Sequence, residues 1–209
     1  MNYDAFATTF SDSRKKLLWP ELDVILADIE GKGYSRFLDI GCGNGRFLLQ
    51  AREHGIKETL YLGIDNSSRM LDEARLLMEN AIFQTLGMEE LEKLGQETQY
   101  DAIIFLASFH HLDTEEKRKK VLRDLHPLLT ENGTIYMTNW NLRDQERYQK
   151  NHQGNGDFHI KIGAFERYYH GFTLSELETL FRETGWHIVE NRIFEGGRNL
   201  FSRLTKIIR

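Results

Sequence analysis

Apolar and polar positions along the chain follow two alternating rhythms. From Arg14 to Glu30, Leu17, Leu18, Leu22, Val24, Ile25, Leu26 and Ile29 make a broad helical stripe, interrupted at Pro20 and stopped by Gly31 and Gly33. A short apolar run "RFLDI" follows, then a helix in "RFLLQAREHG", a run "TLYLGID", and a helix in "NSSRMLDEARLLMEN" opened by Asn66 or Ser67. "AIFQTL" and "YDAIIFLAS" continue as strands, the second apolar almost throughout, as a strand covered on both faces must be. "TEEKRKKVLRDLHPLLTENG" reads as a helix closed by Gly133, and "TIYMTNW" as the fifth strand. Such alternation predicts an α/β fold with a doubly wound, mainly parallel sheet.

After Trp140 the rhythm lapses. Residues 141–172 are polar, glycine-punctuated and too long for a plain connection, so they read as a substrate-side insertion. "TLSELETLFRETG" is a capped helix, with Thr173 as N-cap and Glu176 three residues on. "WHIVENRIF" and "RNLFSRLTKII", joined through "EGG", predict a closing antiparallel hairpin. The whole, residues 1–209, is expected to form one domain, with a helical segment over about 1–33 at its start.

Composition sharpens this picture at three points. The 209 residues hold enough apolar content for one core without metal or disulfide support, and no apolar run is long enough to cross a bilayer. Cys42 is the only cysteine, which excludes an internal disulfide framework and a cysteine zinc cluster. A cytoplasmic protein with no metal and no membrane partner is expected. The formal net charge of −5 argues against nucleic-acid binding by bulk electrostatics but leaves room for a local patch. The stretch "RIFEGGRNLFSRLTKIIR" concentrates Arg192, Arg198, Arg203, Lys206 and Arg209 against Glu195, either as an ordinary solvated face or as a phosphate-tracking surface.

The chemistry begins at "FLDIGCGNGRFL". Gly41, Gly43 and Gly45 let the backbone turn sharply from strand to helix and approach a ligand closely. Glycine loops of this kind usually cradle phosphate, yet Asp39 at the mouth would repel a pyrophosphate. Asp65 closes the next strand twenty residues past Gly45, where a carboxylate accepts both hydroxyls of a ribose; capping the following helix is its other reading, and the two coexist. S-adenosylmethionine resolves the conflict, because it has adenine and ribose but no phosphate, and carries an ammonium and a sulfonium that Asp39 would attract.

The combination resembles the class I S-adenosylmethionine-dependent methyltransferases, whose first motif is matched in "LDIGCGNG". The resemblance covers about 36–140 and implies a seven-stranded, Rossmann-like sheet with its last strand antiparallel. It implies that Asp39, Gly41, Cys42, Gly43, Asp65, Asn66, Met88, Glu89 and Ala107 bind the cofactor. Many members place Asp after the third strand for the adenine amino group, whereas "LGMEEL" offers Gly87 there, leaving Met88 for the ring and Glu89 for the polar role.

Two flanking stretches, "YDAFATTFSDSRKKLLWP" and "FERYYHGFTLSELETLF", resemble the tRNA wobble-uridine methyltransferases that esterify 5-carboxymethyluridine. Phe10, Ser11, Ser13, Arg14, Trp19 and Pro20 match the opening segment, with one residue more between Arg and Trp. Arg167, Tyr168, Tyr169 and His170 match the later one. The acceptor side implied is Arg14 and Arg167 as a forked grip, His110 or His111 of "SFHHLD" as a hydrogen-bonding or basic group, and Trp140, Tyr168 and Tyr169 as flat faces, with His170 completing the motif. The resemblance also implies tRNA as partner and, as in some eukaryotic relatives, a small zinc-binding subunit. Against this stand a small-metabolite methyltransferase, favoured by the acidic balance, and a non-catalytic cofactor-binding module. A nicotinamide oxidoreductase fits Asp39 least.

Overall fold

The computed structural model describes residues 19–95, 97–162 and 165–207. Its strands are β1 (Arg36–Ile40), β2 (Leu60–Asp65), β3 (Ile82–Thr85), β4 (Tyr100–Leu106), β5 (Leu129–Trp140), β6 (Asp157–Ile162), β7 (Phe165–His170), β8 (Trp186–Ile193) and β9 (Asn199–Lys206). Helices α1 (Pro20–Lys32), α2 (Arg46–Glu53), α3 (Ser68–Leu77), α4 (Glu115–Asp124), α5 (Glu146–Gln149) and α6 (Leu174–Glu183) lie between them. Seven strands form one sheet in the order β3-β2-β1-β4-β5-β9-β8, parallel from β3 to β5, with β9 antiparallel to both neighbours. This is the doubly wound sheet with a closing antiparallel hairpin that the alternation predicted.

Each central strand sends successive side chains to opposite faces, as the pleat requires. Leu38, Ile40, Ile103, Phe105, Ile135 and Met137 pack with Val121 and Leu122 of α4 and Leu177 and Phe181 of α6. Phe37, Ala102, Ile104 and Tyr136 pack on the other face with Leu22, Ile25, Phe47 and Leu71 from α1 to α3. The two strands β6 and β7 form a separate two-stranded sheet and cover a third cluster of Trp140, Leu142, Phe158, Ile160 and Tyr169. The insertion is therefore a hairpin laid over the carboxyl end of β5.

Pro20, read as an interruption of the stripe, opens α1 at its first turn, since its fixed φ suits that position and its missing N–H costs nothing there; the part of the stripe over 14–18 lies outside the described residues. One boundary differs from the sequence reading. The helix read through Gly133 ends at Asp124, because Pro127 has no N–H to continue it, and β5 starts at Leu129. Among the described residues no helix is long and apolar enough to cross a membrane.

Candidate active site

The strand order reverses between β1 and β4, and the crevice at the carboxyl ends of such strands is where open α/β sheets bind ligands. A cavity of about 420 Å³ opens there, of ordinary size for a small-molecule site. The loop after β1 forms its floor. Gly41 adopts φ +71°, and a Cβ at that position would stand 2.5 Å from Ser108 Cβ, so only glycine lets the β1 and β4 loops close on each other.

Asp39 is buried at the end of β1. Its Oδ2 accepts a hydrogen bond from Tyr61 Oη at 3.0 Å, while Oδ1 has no hydrogen-bond partner among the described residues. Burial pushes its carboxyl up to about 7, only partly offset by the Tyr61 bond, and the nearby Asp65 charge adds to the rise. An orphaned, desolvated carboxylate oxygen on a cavity wall is a receptor for a cation.

Asp65 is oriented differently. Gly43 N donates to its Oδ2 at 3.0 Å and Ser67 N to its Oδ1 at 2.9 Å, which fixes the carboxylate plane toward the cavity with further lone pairs available. Burial raises its pKa while those backbone donors hold it down. Helix capping belongs to Ser67, whose Oγ accepts from Met70 N. Cys42, buried in the same loop, has its thiol pushed well up by burial and by the two aspartates, so it packs as a neutral group.

The opposite wall comes from β4, β5 and β7. β4 ends at Leu106, and Ala107, with φ of +54°, turns the chain toward the short 3-10 turn Phe109–His111. Trp140 N donates to His110 Nδ1 at 3.1 Å, which leaves the neutral ring's proton on Nε2. His111 Nδ1 lies 3.0 Å from the Tyr168 carbonyl and donates to it, so its Nε2 is the acceptor that meets Arg167 Nη2 at 3.3 Å. Tyr169 stacks on Trp140 at 4.9 Å and touches both histidine rings. Trp140 in turn stacks near Tyr148 from α5, so its ring is committed to neighbouring rings in this state.

All nine residues expected at the cofactor line the cavity: Asp39, Gly41, Cys42, Gly43, Asp65, Asn66, Met88, Glu89 and Ala107. Glu89 does so while paired to Lys117 at 2.9 Å. On the acceptor side His110, His111, Trp140 and Arg167 line it as well. Arg14 lies outside the described residues. Tyr168 and His170 are a correction, because neither belongs to the cavity wall. Residues on β7 alternate, so Arg167 and Tyr169 turn inward while Tyr168 and His170 turn away. Tyr168 Oη donates to Asp157 at 2.7 Å, and His170 bridges Asp157 at 3.1 Å and Glu176 at 2.6 Å. Sequence reasoning missed Tyr61, Trp19 and Arg46. Arg46 directly follows the glycine loop and was legible by position, whereas Tyr61 reaches Asp39 only through strand pairing.

Residues 38–135 match the family model described as a methyltransferase domain. A tRNA (carboxymethyluridine(34)-5-O)-methyltransferase of Xenopus tropicalis is 33% identical over 150 residues, 71% of this chain and 22% of that protein. Residues 38–135 thus carry a methyltransferase domain, and the fold is that of S-adenosylmethionine-dependent methyltransferases. The Saccharomyces cerevisiae protein of the same description is 28% identical over 153 residues, 73% of this methyltransferase and 51% of that protein. The chain thus spans about a fifth to a half of the length of these curated relatives. A crystal structure of an S-adenosylmethionine-dependent methyltransferase from Clostridium acetobutylicum superposes with a TM-score of 0.73 at 14% identity, covering 98% of both chains.

The residues present fit that cofactor. Asp39 Oδ1 is an unused acceptor for an ammonium, and Asp65 is an aligned acceptor for ribose hydroxyls. A Cβ at Gly41 would meet Ser108 and one at Gly43 would meet the Met70 side chain, so glycines there let the loop fold tightly at the cavity.

Proposed function

We propose that this methyltransferase transfers a methyl group to the carboxylate of a 5-carboxymethyluridine at the tRNA wobble position. One observation carries the reading: a guanidinium, that of Arg167, is buried beside the cavity and presented by His111. A desolvated guanidinium is the side chain suited to a planar carboxylate, which it grips through paired N–H donors. Two curated relatives are described as acting on carboxymethyluridine 34 of tRNA, which supports the same acceptor class.

The cofactor supplies a methyl on a sulfonium, an electrophile needing no further activation. A carboxylate acceptor is ionised at neutral pH, so no proton need be removed. Its oxygen would form the new C–O bond as the C–S bond breaks with its electron pair staying on sulfur, giving a neutral ester and a neutral thioether. In-line geometry is then the main demand on the protein. Arg167 orients the acceptor carboxylate, His111 fixes Arg167, and Tyr169 with Trp140 shuts water from the reacting end. Asp39 would hold the donor's ammonium and Asp65 its ribose hydroxyls.

The test is transfer of labelled methyl by the purified protein to an anticodon stem-loop RNA carrying 5-carboxymethyluridine. The expected product is an alkali-labile methyl ester. Equal labelling of the same RNA with unmodified uridine would reject the acceptor, and so would undiminished transfer by Arg167→Ala.

A further inference from the structure

The basic stretch near the carboxyl end is mostly neutralised. Arg192 pairs with Glu190, Arg203 with Glu190 and Asp28, and Lys206 with Glu131. Arg209 lies outside the described residues, and of the others Arg198 is the exception: it makes no ion pair among the described residues. It sits half-buried in the turn between β8 and β9, with its guanidinium 5.6 Å from the ring centre of Trp19. Arg46, the first residue of α2, approaches the same ring at 5.7 Å. Two cations gathered on one indole repel each other, and burial together with the Arg198 charge lowers the Arg46 pKa. Trp19 adds a donor, since its Nε1 is buried without a hydrogen-bond partner among the described residues. Trp19 and Arg46 line the cavity.

The turn carrying Arg198 is tied to the acceptor wall. Asn141, the residue after Trp140, donates its backbone N–H to the Arg198 carbonyl at 2.9 Å, and Gln145 Nε2 donates to that carbonyl at 3.1 Å. Arg198 therefore stands where the aromatic wall meets the glycine-loop floor.

We propose that Trp19, Arg46 and Arg198 form an oxyanion subsite beside the cavity mouth that receives a backbone phosphate of the RNA carrying the acceptor nucleoside. This rests on the wobble-uridine reading. The subsite reconciles an acidic protein with a polyanionic substrate, because one local pair of cations replaces bulk electrostatics.

The experiment compares wild type with Arg198→Gln and Trp19→Phe, measuring affinity for the 5-carboxymethyluridine stem-loop across salt concentrations and, separately, affinity for S-adenosylmethionine. Arg198→Gln is expected to weaken RNA binding about tenfold at low salt and to make the logarithmic salt slope shallower by about one. Trp19→Phe, which keeps the packing and deletes the N–H, is expected to weaken RNA binding about threefold with an unchanged salt slope. Cofactor affinity stays within about twofold in Arg198→Gln. Weakened cofactor binding with unchanged RNA binding would overturn the proposal and assign the cations to the cofactor's carboxylate. No change in either would overturn it and leave Arg198 as a surface charge. Wild-type transfer to the stem-loop with no loss in the variants defeats the subsite alone, whereas a wild type that neither binds nor methylates the stem-loop defeats the function reading with it.

Discussion

Tyr61 directs its hydroxyl onto Asp39 Oδ2 at 3.0 Å, and the pair is sealed inside the protein. Strand pairing puts them together: Asp39 lies opposite Gly63, and a Cβ on Gly63 would stand 2.9 Å from Tyr61 Oη. Satisfying one carboxylate oxygen leaves the other for a ligand. Tyr61→Phe should weaken S-adenosylmethionine binding about fivefold, and Asp39→Asn by more than tenfold, in calorimetric titration. Unchanged affinity in Asp39→Asn would remove this residue from the cofactor site.

The Asp39 carboxyl, raised to about 7, must lose its proton to receive an ammonium. Cofactor affinity is therefore expected to rise with pH up to about 7 and level off above it, with protons released on binding below that point. Asp39→Asn should flatten the profile. Calorimetry in buffers of different ionisation enthalpy counts the protons directly.

The same shift acts on stability with the opposite consequence. The folded chain holds the Asp39 proton more tightly than the unfolded chain, so stability present below about pH 4 is lost as pH rises through about 7, by up to about 4 kcal/mol. Denaturant midpoints of the cofactor-free protein should fall over that window. In Asp39→Asn most of that fall should vanish.

Arg167 is held to the cavity by His111, which is itself fixed by the Tyr168 carbonyl. Arg167→Lys keeps the charge but loses the fork, and is expected to lower kcat/KM for the RNA acceptor roughly a hundredfold. His111→Phe, which removes only the anchor, should cost about tenfold and act mainly on kcat. Steady-state kinetics with varied RNA separates the two.

His170 clamps the hairpin to α6 by bridging Asp157 and Glu176. Glu176 is drawn to this ring, while Thr173 Oγ1 still caps the helix through Glu176 N. His170→Leu should cost about 2 kcal/mol, or some 4–8 °C in melting temperature, and raise KM for the acceptor because Arg167 and Tyr169 ride on the same strand. An acceptor KM equal to wild type would restrict His170 to stability.

The linear chain determined the sheet, the glycine loop and the positions of Asp39 and Asp65, because strand and helix periods and the freedom of glycine are local properties that adjacent residues impose on one another. It also held the alternation that separates Arg167 and Tyr169 from Tyr168 and His170, although the frame of that alternation is set by what β7 packs against. Tertiary structure alone decided which of these side chains share a cavity. The meeting of Tyr61 with Asp39, of His111 with Arg167, and of Trp19 with Arg198 spans separations in sequence that no local pattern encodes. Such pairs arise only when the strands order themselves and a buried charge must find a partner in whatever the fold has brought alongside.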